Sequence, residues 1–354
     1  MKVVVAMSGG VDSSVAAALM VEEGHEVVGV TLKQWEDVDG NLPTAGCCTV
    51  GDAEDARRVS AQLDIPYYVL DYVDEFRAAV VEPFGMSYLA GRTPNPCVEC
   101  NRTVRFNALL ERTADLGADM LATGHYARIG QDGDGYHLRK GVDPGKDQSY
   151  VLHMLTQAQL AQIQLPVGEL TKPAVREHAA RLGLRTAGKP DSQEICFVGD
   201  GNYRDFLADH FPETARPGPI VDMAGAVVGT HPGTAGFTIG QRRGLGVALQ
   251  EPKYVVDIDS ETSTIVIGDR HDLLAAGCVV DDVSFVSGRL PAGGAVEVKV
   301  RYRSRPVPAR LSPDGDQWLV VFDDPQPAVA PGQAAVFYRG DEVLGGGTIE
   351  RSIQ

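Results

Sequence analysis

The segment Lys2-Val3-Val4-Val5-Ala6-Met7 runs straight into Ser8-Gly9-Gly10-Val11-Asp12-Ser13-Ser14, and that order leaves few folds open. Consecutive small and branched apolar residues read as a strand buried on both faces, the habit of a parallel sheet. Val15 to Glu23 reads as the helix that follows. Between them, glycines let the backbone approach a ligand, and the N–H groups at the helix start attract an anion. Ser8, Ser13 and Ser14 add hydroxyl donors. The turn predicts a bound phosphate or pyrophosphate. It is not a Walker A loop, because it lacks the Gly-Lys-Ser/Thr ending and the lysine that reaches the β- and γ-phosphates.

The same stretch resembles the SGGxDS pyrophosphate loop of the ATP pyrophosphatases. That resemblance implies cleavage of ATP between its α- and β-phosphates. A carbonyl oxygen is adenylated, and a nucleophile then displaces AMP.

A chain of 354 residues has room for two or three domains. Changes of pattern suggest 1–200 as a catalytic domain, 201–275 as a small β-rich domain and 276–354 as a barrel. In the first part strand and helix patterns alternate. Val27 to Val30, Pro66 to Leu70 and Asp119 to Ala122 read as strands; Asp52 to Leu63 and Val104 to Leu116 read as helices. Thr171 reads as an N-cap, with Pro173 in the first turn of a helix to Leu182. The rhythm implies an α/β fold with a doubly wound parallel sheet. After Phe197 turns dominate, with short strands at Ile220-Val221 and Tyr254 to Ile258. Ala295 to Arg303, Trp318 to Phe322 and Ala334 to Tyr338 then read as strands of a barrel or sandwich. Gln131 to Gly135 reads as a hairpin tip.

No apolar run approaches the roughly 20 residues that span a bilayer. Met1-Lys2 leads directly into a core strand, so a cytoplasmic protein without a signal peptide or membrane association is expected. The net charge of −16 by itself argues against a nucleic-acid partner. Six cysteines in a reducing compartment read as catalytic or metal-binding where they lie close together.

Arg92-Thr93-Pro94-Asn95-Pro96-Cys97-Val98-Glu99-Cys100-Asn101 is the second strong feature. A helix expected to start near Arg102 would point its positive end at the thiols, and with Arg102 and Arg105 would favour the thiolate. Cys196 lies in Asp191-Ser192-Gln193-Glu194-Ile195-Cys196-Phe197, a polar setting unlike a core. Cys278 reads as a core cysteine. Cys47 and Cys48 stay open.

With these features, and with Ala122 to Tyr126, Lys146 to Tyr150, Ile195 to Phe197, Gly240 to Gly246 and Pro331 to Gln333, the chain resembles the tRNA-specific 2-thiouridylases over essentially its whole length. The resemblance implies an ATP pyrophosphatase domain of the adenine nucleotide alpha hydrolase-like class, a small central domain and a C-terminal β-barrel. It implies 2-thiolation of the wobble uridine in glutamate, glutamine and lysine tRNAs, with ATP and Mg²⁺. ATP would be bound by Ala6, Met7, Ser8, Gly9, Gly10, Val11, Asp12, Ser13, Leu32 and Gly124. Cys196 would carry a persulfide, and Cys100 would be the nucleophile that frees its sulfur and ends in a disulfide with it. Asn95, Pro96, His125, Lys146, Asp147, Gln148, Arg301, Tyr302 and Gln333 would face the tRNA. The sulfur would come from an upstream persulfide carrier or cysteine desulfurase, and the enzyme is expected to act as a monomer. The segment around Cys100 is expected to move before the two cysteines meet.

Many members of that family have Asp where this chain has Cys97. The change removes a candidate acid/base and creates Cys-x-x-Cys with a distant third cysteine. Cys97, Cys100 and Cys196 could hold three irons of a [4Fe–4S] cluster whose fourth iron binds hydrosulfide. Spacing alone does not choose between that cluster and metal-free persulfide chemistry. Zinc lacks a fourth ligand at the usual spacing.

Along Val296 to Arg303 a period of two places Lys299, Arg301 and Arg303 on one solvent face, with Arg305 and Arg310 following. In so acidic a chain this cluster suggests a phosphate-tracking surface, and Arg242-Arg243 is a second candidate. Trp35 belongs either to the nucleotide wall or to the core. Two other readings compete: a nitrogen-transferring ligase of the argininosuccinate or guanylate synthase type, which needs no cysteine pair, and a non-catalytic tRNA-binding protein, which does not need an intact loop.

Overall fold

The computed structural model describes residues 1–36, 49–191, 195–198, 202–247 and 251–354. Cys47, Cys48 and the stretch Ser192-Gln193-Glu194 lie outside the described residues.

Five parallel strands form the first sheet: β1 (Lys2–Ala6), β2 (Glu26–Lys33), β3 (Tyr67–Asp71), β4 (Met120–Thr123) and, further along, Ile163–Gln164. Their order is β3-β2-β1-β4 followed by Ile163–Gln164. Val3, Val4 and Val5 are fully buried, and alternate side chains enter different cores. Val4 packs with Val28, Val30 and Leu32 on one face, while Val3 and Val5 pack with Val27 and helix α1 (Val11–Glu22) on the other. This is the burial on both faces that a continuous apolar run dictates. The strand order reverses between β1 and β4, so their carboxyl ends splay and open a crevice.

The connection from β4 to Ile163–Gln164 carries a hairpin, β5 (Ala127–Asp132) and β6 (Gly135–Lys140). It does not join the parallel sheet. It extends the C-terminal sheet instead, pairing Leu138 and Arg139 with Val343 and Glu342. Ile163–Gln164 is thus β7 in chain order. The middle part is a four-stranded sheet of β8 (Gly218–Asp222), β9 (Val227–His231), β10 (Tyr254–Asp259) and β11 (Thr264–Gly268). The last part contains β12 (Leu274–Phe285), β13 (Ala295–Lys299), β14 (Val307–Asp314), β15 (Gln317–Pro327), β16 (Ala334–Arg339) and β17 (Glu342–Ile353). The β12–β17 pairing closes it into a barrel, around a core that includes Val298, Val320 and Phe337.

The strand expected from Ala295 to Arg303 ends at Lys299. Arg301 and Ser304 close a turn, with Ser304 N–H donating to the Arg301 carbonyl at 3.0 Å and the Ser304 hydroxyl accepting from Arg301 N–H at 3.2 Å. The period of two therefore fails past Val300. Among the described residues, no helix is long and apolar enough to cross a membrane.

Candidate active site at the carboxyl edge of the parallel sheet

The loop after β1 lies in the crevice between β1 and β4. Ala6 ends the strand, and Met7 is anchored by Met7 N–H to the Val30 carbonyl at 2.8 Å and by the Thr31 hydroxyl to its own carbonyl at 2.6 Å. Gly9 has φ +70°, and a Cβ there would collide with the Asp52 carbonyl oxygen, so only glycine fits. Gly10 is the N-cap of α1 and has no side-chain cap, so the first-turn N–H groups of Val11, Asp12 and Ser13 lack intrahelical acceptors. Gly124 follows β4 and presses on the same turn, where a Cβ would lie 2.6 Å from Ser13 N. Ser8 is exposed, whereas Ser13 and Ser14 are buried and their hydroxyls donate to the Gly10 carbonyl at 3.2 and 2.8 Å. Ser14 is thus a brace of the loop rather than a donor facing outward. Leu32 is buried near the end of β2.

The structure adds two lysines that sequence reasoning missed. Lys172, at the start of the helix Lys172–Arg181, donates to both Asp12 oxygens at 2.8 Å and pairs with Asp191 at 2.7 Å. The Tyr126 hydroxyl also donates to Asp12, at 2.6 Å. Lys189 donates to the Gly9 carbonyl at 3.0 Å and pairs with Asp52 and Asp55 at 2.7 and 2.8 Å. Burial would lower its pKa, and the two carboxylates reverse the direction. A signal for Lys172 was present: a lysine at a helix start opposes the dipole unless an anion compensates it.

Cys97 and Cys100 lie inside a helical run, not ahead of one. The run begins at Pro96, six residues earlier than Arg102, because Asn95 caps it through Oδ1 accepting from Cys97 N–H at 3.2 Å. It continues as a π-helix over Cys100–Ala108, a form found often at functional sites, and as an α-helix over Leu109–Asp115. The expected N-terminal field at Cys100 is therefore replaced by a specific donor. Gln34, the residue after β2, places its amide Nε2 3.4 Å from the Cys100 sulfur. Arg105 instead donates to Asn101 on its own helix at 2.8 Å, and Arg102 pairs with Glu99 at 3.6 Å.

Cys100 is buried in the largest hydrophobic cluster, which runs from the parallel sheet to Val336 and Tyr338 of the barrel, and half-buried Cys196 packs against that same cluster. The next residue, Phe197, has ring centroids 6.2 Å from Trp35 and 5.7, 5.2 and 5.2 Å from Phe76, Phe84 and Phe206. Trp35 adjoins Gln34, so one aromatic cluster holds both the residue after Cys196 and the residue after the donor to Cys100. Trp35 is thus core. Cys97 is exposed, and burial, then the charges of Asp147 and Cys97, raise the pKa of Tyr302. Cys278 is fully buried in β12, and burial pushes its thiol up to about 12.

The remaining expected residues spread from this crevice to the barrel. His125 is buried, its Nδ1 2.8 Å from the Thr123 hydroxyl and its ring against Phe106. Burial, then Arg105, pushes its pKa down to about 3, so it is neutral. Lys146 pairs with Asp191 at 2.6 Å. Asp147 accepts from Gly141 and Ser149 N–H, and Gln148 accepts from Tyr126 N–H at 3.0 Å. Tyr302 is 39% exposed and its hydroxyl donates to the Asp147 carbonyl at 3.2 Å. Arg301 is half-buried and donates to the Ile239 carbonyl at 2.6 Å; Lys299 sits over the rings of Tyr150 and Tyr302. Burial lowers the pKa of both cations. The expected solvent face of Lys299, Arg301 and Arg303 is thus corrected: Lys299 and Arg301 are packed, and Arg303 and Tyr302 are exposed. Arg242, Arg243, Arg303, Arg305 and Arg310 are exposed. Pro96 is buried and Asn95 half-buried. Gln333 donates to the Thr93 carbonyl at 2.7 Å, tying the barrel to the approach of the cysteine helix.

Family models cover nearly the whole chain: a tRNA methyl transferase HUP domain at 1–200, a tRNA methyl transferase PRC-barrel domain at 204–269 and an aminomethyltransferase beta-barrel domain at 275–349. The tRNA-specific 2-thiouridylase MnmA of Geobacter metallireducens is 50% identical over 99% of this chain and 97% of its own. The protein of the same name from Chloroflexus aurantiacus is 52% identical over 99% of this chain and 98% of its own. A solved 4-thiouridine synthetase–RNA complex with bound ATP has 16% identity and a TM-score of 0.37, covering 60% of this chain and 50% of that one, too distant to carry an argument. Identity of about one residue in two across all three parts of the fold outweighs the word methyl in the domain descriptions, and the chain belongs to the family of tRNA-specific 2-thiouridylases.

Proposed function

We propose that this protein is a tRNA-uridine 2-sulfurtransferase that adenylates O2 of the wobble uridine with ATP and then replaces that oxygen with sulfur. The observation that carries the reading is the glycine turn with its uncapped helix N–H groups in the same domain as Cys100 and Cys196, which lie in and against one hydrophobic cluster. The uncapped N–H groups of α1 bind the polyphosphate. Uridine O2 attacks the α-phosphorus and pyrophosphate leaves. The terminal sulfur of a Cys196 persulfide, having lost its proton, attacks C2. The Cys100 thiolate then attacks the Cys196 sulfur and breaks the S–S bond. The freed electron pair on the transferred sulfur forms C2=S and expels AMP. A Cys100–Cys196 disulfide remains, and a dithiol reductant restores both thiols.

Mg²⁺ comes with ATP, and among the described residues Asp12, part exposed at the loop and paired with Lys172, is an oxygen ligand that would hold it. There the ion would neutralise phosphate charge. The scheme needs only two thiols, buried Cys100 with its Gln34 donor and half-buried Cys196. A [4Fe–4S] cluster would instead need the Cys97, Cys100 and Cys196 thiolates to converge on one cavity, and the iron dependence tested below separates the two.

The substrates are glutamate-, glutamine- and lysine-type tRNAs, held by Asn95, Lys146, Tyr302, Gln333 and the exposed arginines. A persulfide carrier or cysteine desulfurase loads Cys196, and the enzyme works as a cytoplasmic monomer with the three domains bounded near 200 and 275. The test is ATP-dependent thiolation of unmodified tRNA by colourless, iron-free protein with a persulfide donor. Cys100→Ser and Cys196→Ser should each abolish 2-thiouridine. Activity that needs iron and inorganic sulfide, and is lost in Cys97→Ala, would overturn the thiol-only scheme.

A further inference from the structure

Cys97 and Cys100 share one helical turn but differ in access. Cys97 is exposed, and Asn95 Oδ1 accepts from its N–H at 3.2 Å. Cys100 is only 6% exposed, and its N–H donates to the carbonyls of Pro96 and Cys97. Helical backbone puts Cα atoms three residues apart at about 5 Å, inside the roughly 4.4–6.8 Å that a disulfide spans. The pair can therefore close a bond with little backbone movement. An exposed sulfur followed by a buried one in Cys-x-x-Cys is an arrangement suited to dithiol exchange. The Gln34 amide, 3.4 Å from the Cys100 sulfur, is placed to stabilise a departing thiolate there. Cys196 is half-buried, so of these sulfurs Cys97 is the one a protein-sized reductant reaches most readily.

We propose that Cys97 is the resolving cysteine of the catalytic cycle: it takes the Cys100 sulfur from Cys196 and presents a Cys97–Cys100 disulfide to the reductant. The inference rests on the sulfur-transfer reading above, which leaves Cys100 and Cys196 joined. Cys97 gives up its proton, and its thiolate attacks the Cys100 sulfur. The Cys97–Cys100 bond forms as the Cys100–Cys196 bond breaks. The electron pair leaves on Cys196, which takes up a proton, so one disulfide replaces another with no net oxidation. The dithiol reductant of the cycle then attacks the exposed Cys97 sulfur, and Cys100 leaves as a thiolate beside Gln34. The reductant's second thiol displaces Cys97 and closes the reductant's own disulfide. Cys196 is meanwhile free to accept the next persulfide.

The test uses the full chain, loaded with persulfide, with ATP, excess unmodified tRNA and no reductant. After a single turnover the free thiols are blocked with iodoacetamide, and the protein is digested with trypsin without reduction. Wild type should yield the peptide Thr93–Arg102, which holds both Cys97 and Cys100, unalkylated and two hydrogens light, together with alkylated Cys196. A peptide cross-linked through Cys100 and Cys196 in its place overturns the proposal without any variant. With a protein dithiol as reductant, Cys97→Ser should make a single 2-thiouridine per enzyme and stall with that cross-link, and dithiothreitol should restart it. Repeated turnover of Cys97→Ser at the wild-type rate with the protein dithiol also overturns the proposal. Wild-type protein that makes no 2-thiouridine overturns the sulfur-transfer reading, and the proposal with it.

Discussion

The side-chain amide of Gln34 lies 3.4 Å from the sulfur of Cys100, and both residues are buried. A neutral donor at a sulfur acts more strongly on a thiolate than on a thiol. Gln34→Leu keeps the volume and removes the donor. Single-turnover 2-thiouridine formation should fall about tenfold, the worth of one hydrogen bond to a charged group. AMP formation should be unchanged. Quenched-flow measurement of both products checks this, and equal loss of both would refute it.

Gly9 and Gly10 are adjacent and should respond differently to alanine. Gly9 has φ +70° with the Asp52 carbonyl in the way, while Gly10 has φ −86° and only the Ser8 hydroxyl near, at 3.5 Å. Gly9→Ala should lower unfolding stability by about 2 kcal/mol or more and abolish ATP binding; Gly10→Ala should change stability by less than about 1 kcal/mol. Urea titration separates the two.

His125 and His153 are both buried, with pKa values pushed down to about 3 and about 4 by burial. Between those values and the unfolded value near 6.5, the unfolded chain binds more protons than the folded one. Stability should therefore be full above about pH 6.5 and fall as pH drops toward 4, with a slope approaching about 2.7 kcal/mol per pH unit for the two groups. Unfolding midpoints at a series of pH values should show uptake of close to two protons per molecule near pH 5; a flat response would refute the buried neutral state.

The approach to the cysteine helix is clamped to the barrel. Arg92 pairs with Glu350 in a bidentate manner, Thr93 N–H donates to the Pro331 carbonyl at 2.9 Å, and Gln333 donates to the Thr93 carbonyl. The ion pair is about one-third exposed, so its loss in Arg92→Ala should cost less than about 1 kcal/mol of stability. The functional effect should be larger: KM for tRNA should rise several-fold, with KM for ATP unchanged, because the clamp sets the barrel against the site. Steady-state kinetics with each substrate varied decides it.

The strand–turn–helix unit of the candidate site was legible because its signals are local. Strand, glycine turn and helix occupy consecutive residues, and each announces itself by burial pattern or turn chemistry. The Thr171 cap and the hairpin tip were legible for the same reason. The basic face was misread because a period of two was carried past Val300, where the Arg301–Ser304 turn ends the strand. The start of the cysteine helix was misplaced because Asn95 and Pro96, read as an approach, are its cap and first residue.

By itself the sequence determined the strand, glycine turn and helix at its start, the alternation of strand and helix, and the family. Tertiary structure decided which charges and sulfurs meet. Lys172 and Asp12 are 160 positions apart, and Gln34 and Cys100 are 66 apart. The first pair meets because the helix Lys172–Arg181 packs on α1; the second, because Leu32 of β2 and Cys100 of the cysteine helix are buried in one hydrophobic cluster. Such contacts are set by how apolar faces far apart in the chain bury one another, and no local pattern of residues encodes that choice.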